Sequence, residues 1–292
     1  MHRLATLNDV LHYAVKRFKQ AKLYFGHGTQ NAYDEAAYLI LHALHLPLDQ
    51  LTPFLDIRLT TQQKNSIAKL IEQRIKQRCP AAYLTREAWL GNYKFYVDQR
   101  VIVPRSFIAE LLRDGIKPWI TDPKKIKSVL DLCTGSGCLA ILSALTFKQA
   151  QIYASDVSAD ALKVARRNIN DYRLQPRIKL IRSDLFKKLN NMRFDLILSN
   201  PPYVNDQSMR HLPNEYRHEP RLALAGGKDG LTIVQQILHQ AKNHLTPNGL
   251  LIVEIGHNRK ALERLYSKIA FTWLEVSAGD QYVFLLTRDQ LP

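Results

Sequence analysis

The sequence predicts an α/β fold preceded by a small helical domain and a two-stranded connector. Strand-like and helix-like segments alternate after residue 127, the first 80 residues hold only helix-like patterns, and short β-type runs lie between these regions. Near-continuous apolar strands separated by helices are typical of a mostly parallel sheet that is covered on both faces. We therefore expect a helical domain at 1–82, a β-hairpin connector at 83–116 and an α/β domain at 117–292.

The N-terminal region contains three helix-like segments with apolar stripes. The first opens at a capping-box pattern between Thr6 and Asp9, the second spans 31–46, and the third opens at Thr60. Five cations of the third segment are predicted to form a basic surface: Lys64, Lys69, Arg74, Lys76 and Arg78.

Two β-type runs, at 88–90 and 93–97, are joined by a Gly-Asn pair, which predicts a hairpin. A short helix is expected at 108–113, and a loop rich in Pro, Asp and Lys precedes the α/β domain. In that domain, strands are predicted at 128–132, 151–156, 178–182, 194–199, 250–254, 271–276 and 282–286, with helices from 137, from 158, at 231–245 and at 258–269.

Composition excludes several classes of protein. The chain has 292 residues, of which 46% are hydrophobic, so it has enough apolar matter to fold. No apolar run approaches the roughly 18 residues of a membrane span. The start at Met1–Leu4 shows no signal-peptide pattern, so we expect a cytoplasmic protein. Its three cysteines are expected to be reduced and buried, and their surroundings predict no metal site.

The net charge of +15 favours a nucleic acid or another acidic surface as a partner. The excess is spread along the chain and does not form a basic tail. Simple solubility is the alternative explanation.

The first predicted strand of the α/β domain leads into a glycine turn, Cys133-Thr134-Gly135-Ser136-Gly137. Glycines between a strand and a helix let the backbone approach a ligand closely. The turn has neither the full G-x-G-x-x-G spacing of a dinucleotide site nor the Gly-Lys-Ser/Thr ending of a P-loop. NAD and nucleoside triphosphates are therefore disfavoured.

Three further strands also end in polar residues, and the carboxyl ends of parallel strands lie at one edge of a sheet. Asp156 follows the glycine turn by about twenty residues, the position from which a carboxylate accepts hydrogen bonds from ribose hydroxyls. Asp184-Leu185 ends the third strand and Asn200–Tyr203 the fourth. Together these predict one ligand site.

This set of residues resembles the class I (Rossmann-like) S-adenosylmethionine-dependent methyltransferases. The Asn-Pro-Pro-Tyr sequence resembles methylases of planar amide or exocyclic amino nitrogens. The resemblance implies that Cys133–Gly137 wraps the methionine end of S-adenosylmethionine, Asp156 binds the ribose, and Asp184 with Leu185 borders the adenine. Asp131 would support the glycine turn or the cofactor ammonium, and Asn200 would border both cofactor and acceptor.

The chemistry of a carboxamide nitrogen fits Asn200-Pro201-Pro202-Tyr203. This nitrogen is a poor nucleophile, so an enzyme has to orient it. The Asn200 side-chain oxygen and the Pro201 carbonyl can each accept one N–H of the acceptor. The prolines stiffen the backbone, and the Tyr203 ring can pack on the acceptor and exclude water. A dedicated strong base is not required.

Along nearly its whole length the chain resembles the protein-glutamine N5-methyltransferases, which modify either release factors or a ribosomal protein of the large subunit. Release-factor enzymes typically continue Pro-Arg-Pro-Glu-Thr-Glu at this point. This chain instead reads Pro104-Arg105-Ser106-Phe107-Ile108-Ala109-Glu110-Leu111. Shared motifs instead match the branch that methylates ribosomal protein L three: Ala82–Thr85, Phe95–Asp98, Val103–Ser106 and Cys133–Cys138. That branch usually has proline where Phe107 stands, and the role of Phe107 is left open.

The resemblance implies that the helical domain recognises the substrate, which is ribosomal protein L three, free or in a pre-ribosomal particle. We hypothesise that the basic surface contacts ribosomal RNA there. Three alternatives remain open at this point: a release-factor methyltransferase, a DNA or RNA amino-methylase, and a non-catalytic ribosome-assembly factor.

Overall fold

The computed structural model describes residues 4–292. Met1–Arg3, which begin both the predicted helical domain and the segment without a signal-peptide pattern, lie outside the described residues. The helices are α1 (Leu7–Gln20), α2 (Ala32–Ala43), α3 (Thr61–Gln77), α4 (Ala81–Thr85), α5 (Ile108–Arg113), α6 (Cys138–Thr146), α7 (Ala159–Asp171), α8 (Asp206–Arg210), α9 (Thr232–Ala241) and α10 (Arg259–Leu265). The strands are β1 (Glu87–Leu90), β2 (Tyr93–Tyr96), β3 (Ser128–Leu132), β4 (Gln151–Asp156), β5 (Ile178–Arg182), β6 (Phe194–Ser199), β7 (Leu245–Glu254), β8 (Thr272–Val276) and β9 (Gly279–Thr287).

Helices α1, α2 and α3 pack around one apolar core. Reciprocal capping boxes open α1, between Thr6 and Asp9, and α3, between Thr60 and Gln63, which satisfies backbone donors that each helix start leaves free. The inward faces of these helices bury Val10, Phe18, Leu39, Ile40 and Ile67. No helix in residues 4–292 is long and apolar enough to cross a membrane.

Strands β1 and β2 form the expected hairpin, with Glu87 opposite Tyr96 and Leu90 opposite Tyr93. The connecting turn needs a residue in the left-handed region, and Gly91 takes it with φ +59°. The hairpin packs on α7, where the Asn168 side chain exchanges hydrogen bonds with the backbone of Tyr96 at 2.7 and 3.0 Å.

The central sheet has seven strands in the order β5-β4-β3-β6-β7-β9-β8. Strands β3 to β7 are mutually parallel, and β8 and β9 add antiparallel pairs at one edge. Successive residues of a strand point to opposite faces, and both faces are apolar here: Leu196 and Leu198 pack in one core and Ile197 in the other. The predicted mostly parallel, doubly covered sheet is confirmed.

Chain order reverses at β3, which pairs with β4 on one side and β6 on the other. In open α/β sheets, ligands bind at such a switch point, beyond the carboxyl ends of the strands. The glycine turn after β3 and the Asn200–Tyr203 segment after β6 are therefore neighbours.

Several element boundaries differ from the sequence prediction. Strand β7 begins at Leu245, five residues earlier than expected, because Leu245 pairs with Phe194 across a register shift and Thr246 Oγ1 donates to Asp195 Oδ1 at 3.1 Å. Helices α9 and α10 end earlier than predicted, and β9 begins earlier, at Gly279.

The predicted basic surface on α3 was partly wrong. Arg74 is buried, with 1% exposure, because Glu35 and Glu215 surround its guanidinium. Arg78 is half-buried and also pairs with Glu215, at 3.1 Å. Three of the five cations therefore remain for a surface: Lys64, Lys69 and Lys76, the last of which pairs with Glu72.

Candidate functional site

Two cavities meet at Asn200, at the carboxyl ends of β3, β4 and β6. One, of about 280 Å³, is lined by residues of the glycine turn and of the β4 and β5 ends, and we call it the cofactor-side cavity. The other, of about 330 Å³, lies against the connector, and we call it the acceptor-side cavity. Asn200, Ile102 and Ala223 line both cavities. A group bound on one side therefore borders a group bound on the other.

The turn after β3 presents its backbone to the cofactor-side cavity. Cys133, Gly135 and Gly137 all have left-handed φ values, of +59°, +54° and +80°. Glycine adopts this region without strain, whereas Cys133 adopts it at a cost. Nothing lies within 4 Å of the position that a Cβ on Gly135 would occupy, so the turn leaves open space beside its backbone.

Asp156, at the end of β4, braces this turn. Its Oδ2 accepts the Gly135 N–H at 3.0 Å, and its Oδ1 accepts the Ser158 N–H at 2.9 Å. Burial raises the pKa of Asp156 above its usual value, which the two backbone donors oppose. Asp156 lines the cofactor-side cavity, and each of its carboxylate oxygens has a further lone pair that can accept a hydrogen bond.

Asp131 lies behind the turn. Its Oδ2 accepts hydrogen bonds from Thr134 Oγ1 and from the Ala140 N–H, which fixes the turn to the start of α6. Its Oδ1 is buried and has no hydrogen-bond partner among residues 4–292. Burial raises the pKa of Asp131 to about 7. An unpartnered buried carboxylate oxygen here fits a cationic or hydrogen-bonding ligand group.

Asp184 and Leu185 close the far end of the cofactor-side cavity. Leu185 takes a left-handed φ of +46°, and its carbonyl accepts the Ser183 hydroxyl at 2.7 Å. This turn presents an apolar side chain and a carboxylate side by side, which suits one face and one edge of a purine.

The structure thus gathers the sequence-predicted site residues into one region, in two layers. Seven line the cofactor-side cavity: Cys133, Gly135, Asp156, Asp184, Leu185, Asn200 and Pro202. Asp131 supports the turn from behind, and Thr134, Ser136 and Gly137 belong to the turn but do not line this cavity. Pro201 and Tyr203 line the acceptor-side cavity.

Asn200 is half-buried, and its side-chain amide makes no hydrogen bond to any of residues 4–292. Ser199 before it is fixed, because its hydroxyl donates to the Leu132 carbonyl at 3.0 Å. A rigid strand end therefore presents a free amide to both cavities.

The Tyr203 ring is held on two sides. Its hydroxyl donates to Glu254 Oε1 at 3.3 Å, and its ring packs on Gly256, where a Cβ would come within 2.7 Å of the ring. Burial raises the pKa of Tyr203 above its usual value. Tyr203 is therefore a neutral, oriented aromatic wall of the acceptor-side cavity.

The glycine-rich segment at 224–227 packs beside Asn200–Tyr203. Val204 N–H donates to the Leu224 carbonyl at 2.9 Å, and Gly226 N–H donates to the Val204 carbonyl at 2.8 Å. A Cβ on Gly226 would come within 2.7 Å of Tyr203 Cα. Glycine is required here because two backbones touch.

The sequence indicated the segment from Glu219 to Leu231 as a candidate border of the site, but it did not predict the role of the acidic residues around the acceptor-side cavity. Glu219 is buried and binds Arg105 through two contacts, of 2.6 and 2.8 Å. Although burial raises the pKa of Glu219, Arg105 and His27 lower it to about 2. Glu254 was missed, because in the sequence it is only the last, polar residue of an apolar strand. No group of His, Cys, Asp or Glu within 4–292 is arranged to hold a metal ion.

A sheet of this order, with two joined cavities at its switch point, is the Rossmann-like fold that class I methyltransferases share. The family model "Methyltransferase small domain" matches residues 119–214, and "PrmC N-terminal domain" matches 9–85.

Relatives cover almost the whole chain. The ribosomal protein uL3 glutamine methyltransferase of Neisseria meningitidis is 57% identical over 99% of this chain and 95% of its own length. Those of Burkholderia pseudomallei and Bordetella pertussis are 53% and 52% identical, over 98% and 99% of this chain and 96% and 97% of their own. The chain belongs to the ribosomal protein uL3 glutamine methyltransferase family. The family predicted from the motifs is thereby confirmed.

Among solved structures, the hMettl16 catalytic domain in complex with MAT2A 3′UTR hairpin 6 aligns with a TM-score of 0.51. It is 14% identical and covers 80% of this chain and 84% of its own. This likeness shows the shared methyltransferase fold.

Proposed function

We propose that the protein transfers a methyl group from S-adenosylmethionine to the side-chain amide nitrogen of a glutamine in ribosomal protein uL3. The observation that carries this proposal is the free Asn200 amide at the junction of the two cavities. Family membership supports both the reaction and the acceptor protein.

The cofactor-side cavity fits S-adenosylmethionine in the chemistry of its walls. The open backbone of Cys133–Gly137 suits the methionine part, and the Asp131 oxygen without a partner, which lies behind this turn and not in the cavity wall, suits an ammonium group. The remaining lone pairs of Asp156 suit two ribose hydroxyls, and Asp184 with Leu185 suits adenine. When bound, the cofactor supplies an activated methyl group on a sulfonium leaving group.

The acceptor-side residues do the orienting. The Asn200 oxygen accepts one N–H of the glutamine amide and the Pro201 carbonyl accepts the other, which directs the nitrogen lone pair towards the cofactor-side cavity. Pro202 fixes the chain after this carbonyl. Tyr203 packs on the planar amide, and Phe107 and Tyr282, with ring centroids 5.3 Å apart, add aromatic wall.

Proton release needs no strong base. As the nitrogen forms its new bond to the methyl carbon, its N–H groups become more acidic. One proton can then leave to an oxygen that already accepts it, or to water. Tyr203 is neutral and its pKa lies above its usual value, so it acts as a wall and not as a base.

Two alternatives are less well supported. An amino-methylase of DNA or RNA shares Asn-Pro-Pro-Tyr but needs a way to extrude a base. A non-catalytic assembly factor would not need a side chain such as Asn200 at the cavity junction to orient a substrate amide. The relatives also favour uL3 over release factors as the acceptor.

We further propose that the enzyme binds uL3 within a pre-ribosomal particle, because an enzyme of charge +15 is repelled by an isolated basic ribosomal protein. Lys64, Lys69 and Lys76 are the part of α3 that can contact ribosomal RNA. If RNA-free uL3 were methylated at the same rate and with the same salt dependence as particles, this contact would be excluded.

The test is methyl transfer from labelled S-adenosylmethionine by the purified protein. RNA-free uL3, pre-ribosomal particles, a release factor and nucleic acid are offered in parallel. We expect label in uL3 and in neither the release factor nor the nucleic acid, with faster labelling of uL3 in particles than of RNA-free uL3. Label in release factor or nucleic acid would instead establish one of the alternatives, and cofactor binding without transfer to any substrate would favour the assembly factor.

A further inference from the structure

We propose that Glu254 is a positioning residue that fixes the Tyr203 ring against the acceptor amide and ties it to the connector loop. This inference rests on the proposed function of the acceptor-side cavity. It adds a residue that is remote in sequence from Asn200–Tyr203 and is absent from every motif described above.

The sheet places Glu254 beside the reaction centre. In the parallel pair of β6 and β7, Ser199 lies opposite Val253. The next residues along, Asn200 and Glu254, are therefore neighbours at the carboxyl ends of the two strands. The Glu254 side chain is 1% exposed, so its interactions are made with protein groups.

Each oxygen of the Glu254 carboxylate contacts a different segment. Oε2 accepts the Ser106 hydroxyl at 2.7 Å and the Phe107 N–H at 2.9 Å, both from the connector. Oε1 accepts the Tyr203 hydroxyl at 3.3 Å. One buried carboxylate thus joins two walls of the acceptor-side cavity, which Phe107 and Tyr203 both line.

Tyr203 has little freedom while this contact is made. Gly256, two residues after Glu254, lies flat against the ring, with space for no Cβ. The hydroxyl bond then fixes the remaining tilt of the ring. A misplaced ring changes the orientation of the acceptor amide, to which in-line transfer is sensitive.

Phe107 gives this chain an additional donor to Glu254. A proline at this position would have no N–H to donate. Three donors converge on the carboxylate here, since the Phe107 N–H is available. The Glu254 carboxylate is therefore held more firmly than two donors alone would hold it.

The experiment is a double-mutant cycle with Glu254→Gln, Tyr203→Phe and the double variant, measured with uL3 in the form that wild type methylates. Tyr203→Phe deletes the hydroxyl, and Glu254→Gln keeps the side-chain size while removing one acceptor oxygen. The exposed Glu275→Gln on β8 is the matched control. Cofactor affinity is measured separately by calorimetry.

We expect each single variant to lower kcat about tenfold, with cofactor affinity unchanged within twofold, because Tyr203 does not line the cofactor-side cavity. The double variant should be no slower than Tyr203→Phe alone. Independent, multiplying losses would overturn the proposal, as would full activity of Glu254→Gln. Failure of wild type to methylate any glutamine would instead overturn the proposed function, so the two failures are distinguishable.

Discussion

Arg74 and Glu215 form a fully buried ion pair, with Nη1 3.3 Å from Oε1, although 141 residues separate them. Arg74 belongs to the N-terminal helices, whereas Glu215 follows the Asn200–Tyr203 segment and precedes Tyr216, which lines the acceptor-side cavity. Arg78 and the Tyr24 N–H also bind the Glu215 carboxylate, both at 3.1 Å. These contacts thus attach the N-terminal helices directly to a wall of the acceptor-side cavity.

Replacing Arg74 with Met should lower the free energy of unfolding by about 3–5 kcal/mol, because it leaves Glu35 buried without its cation and removes one of the two arginines that bind Glu215. Denaturant unfolding measures this loss. Arg17→Met is the control: its pair with Glu72 is partly exposed, and its removal should cost at most about 1 kcal/mol. Equal losses would contradict the structural role of the buried pair.

Asn200→Ala should reduce kcat by orders of magnitude and leave the dissociation constant of the cofactor within a few fold, because it removes acceptor orientation. Single-turnover kinetics and calorimetry measure the two quantities. Asn190→Ala, at an exposed position, serves as the control. Parallel loss of binding and turnover would show that Asn200 mainly holds the cofactor or the fold.

Asp156→Asn should weaken cofactor binding about 10–100-fold, because one amide oxygen cannot replace two carboxylate oxygens that already accept Gly135 and Ser158. Turnover at saturating cofactor should fall much less. The control is Asp160→Asn on the exposed side of α7. Unchanged affinity in Asp156→Asn would exclude Asp156 from the cofactor site.

Glu254 should make stability depend on pH. Burial raises its pKa to about 7, against an ordinary value of 4.5, despite hydrogen bonds from Ser106, Phe107 and Tyr203 and the nearby Arg105 cation. Between pH 4.5 and pH 7, Glu254 is therefore protonated in the folded state and ionised in the unfolded state. Its contribution to the free energy of unfolding is complete below pH 4.5 and is lost as the pH rises through 7.

Glu254→Gln lacks this titration. As the pH is raised from 5 to 8, the free energy of unfolding of wild type should therefore fall by about 2 kcal/mol more than that of Glu254→Gln. Asp131, whose pKa burial also raises to about 7, titrates in both proteins and cancels. Thermal unfolding across this range provides the comparison, and a difference that is constant with pH would mean that Glu254 is already ionised in the fold.

Phe107→Pro should lower kcat about fivefold more than Phe107→Ala does. Both variants remove the ring, but only proline removes the N–H that binds Glu254. The φ of −67° at Phe107 suits proline, so the backbone tolerates the change. The excess loss should disappear in a Glu254→Gln background, and its persistence there would point to a backbone effect of proline instead.

Local patterns predicted the centre of the sheet well. The strands β3, β4, β5 and β6 begin and end where near-continuous apolar runs and turn residues indicated. Their carboxyl ends carry the polar residues that predicted the site, since each follows its own strand directly. Strand β7 was predicted too short because a bulge and a contact to Asp195 keep its polar start in the sheet.

Contacts between distant residues could not be predicted in this way. Arg74 looks like a surface cation on its own helix, and its burial depends on two acids from other parts of the chain. Glu254 meets Ser106 across 148 positions, and Arg105 meets Glu219 across 114. These pairs become visible only when the sheet brings their segments together.

Methyl transfer to uL3 is tested most directly by peptide mass mapping of ribosomes from a strain that lacks this gene, complemented either with wild type or with Asn200→Ala. We expect one glutamine of uL3 to carry the mass of a single methyl group with wild type and to stay unmodified with the variant. An unmodified uL3 in the wild-type complement, or methylation that persists with Asn200→Ala, would contradict this expectation.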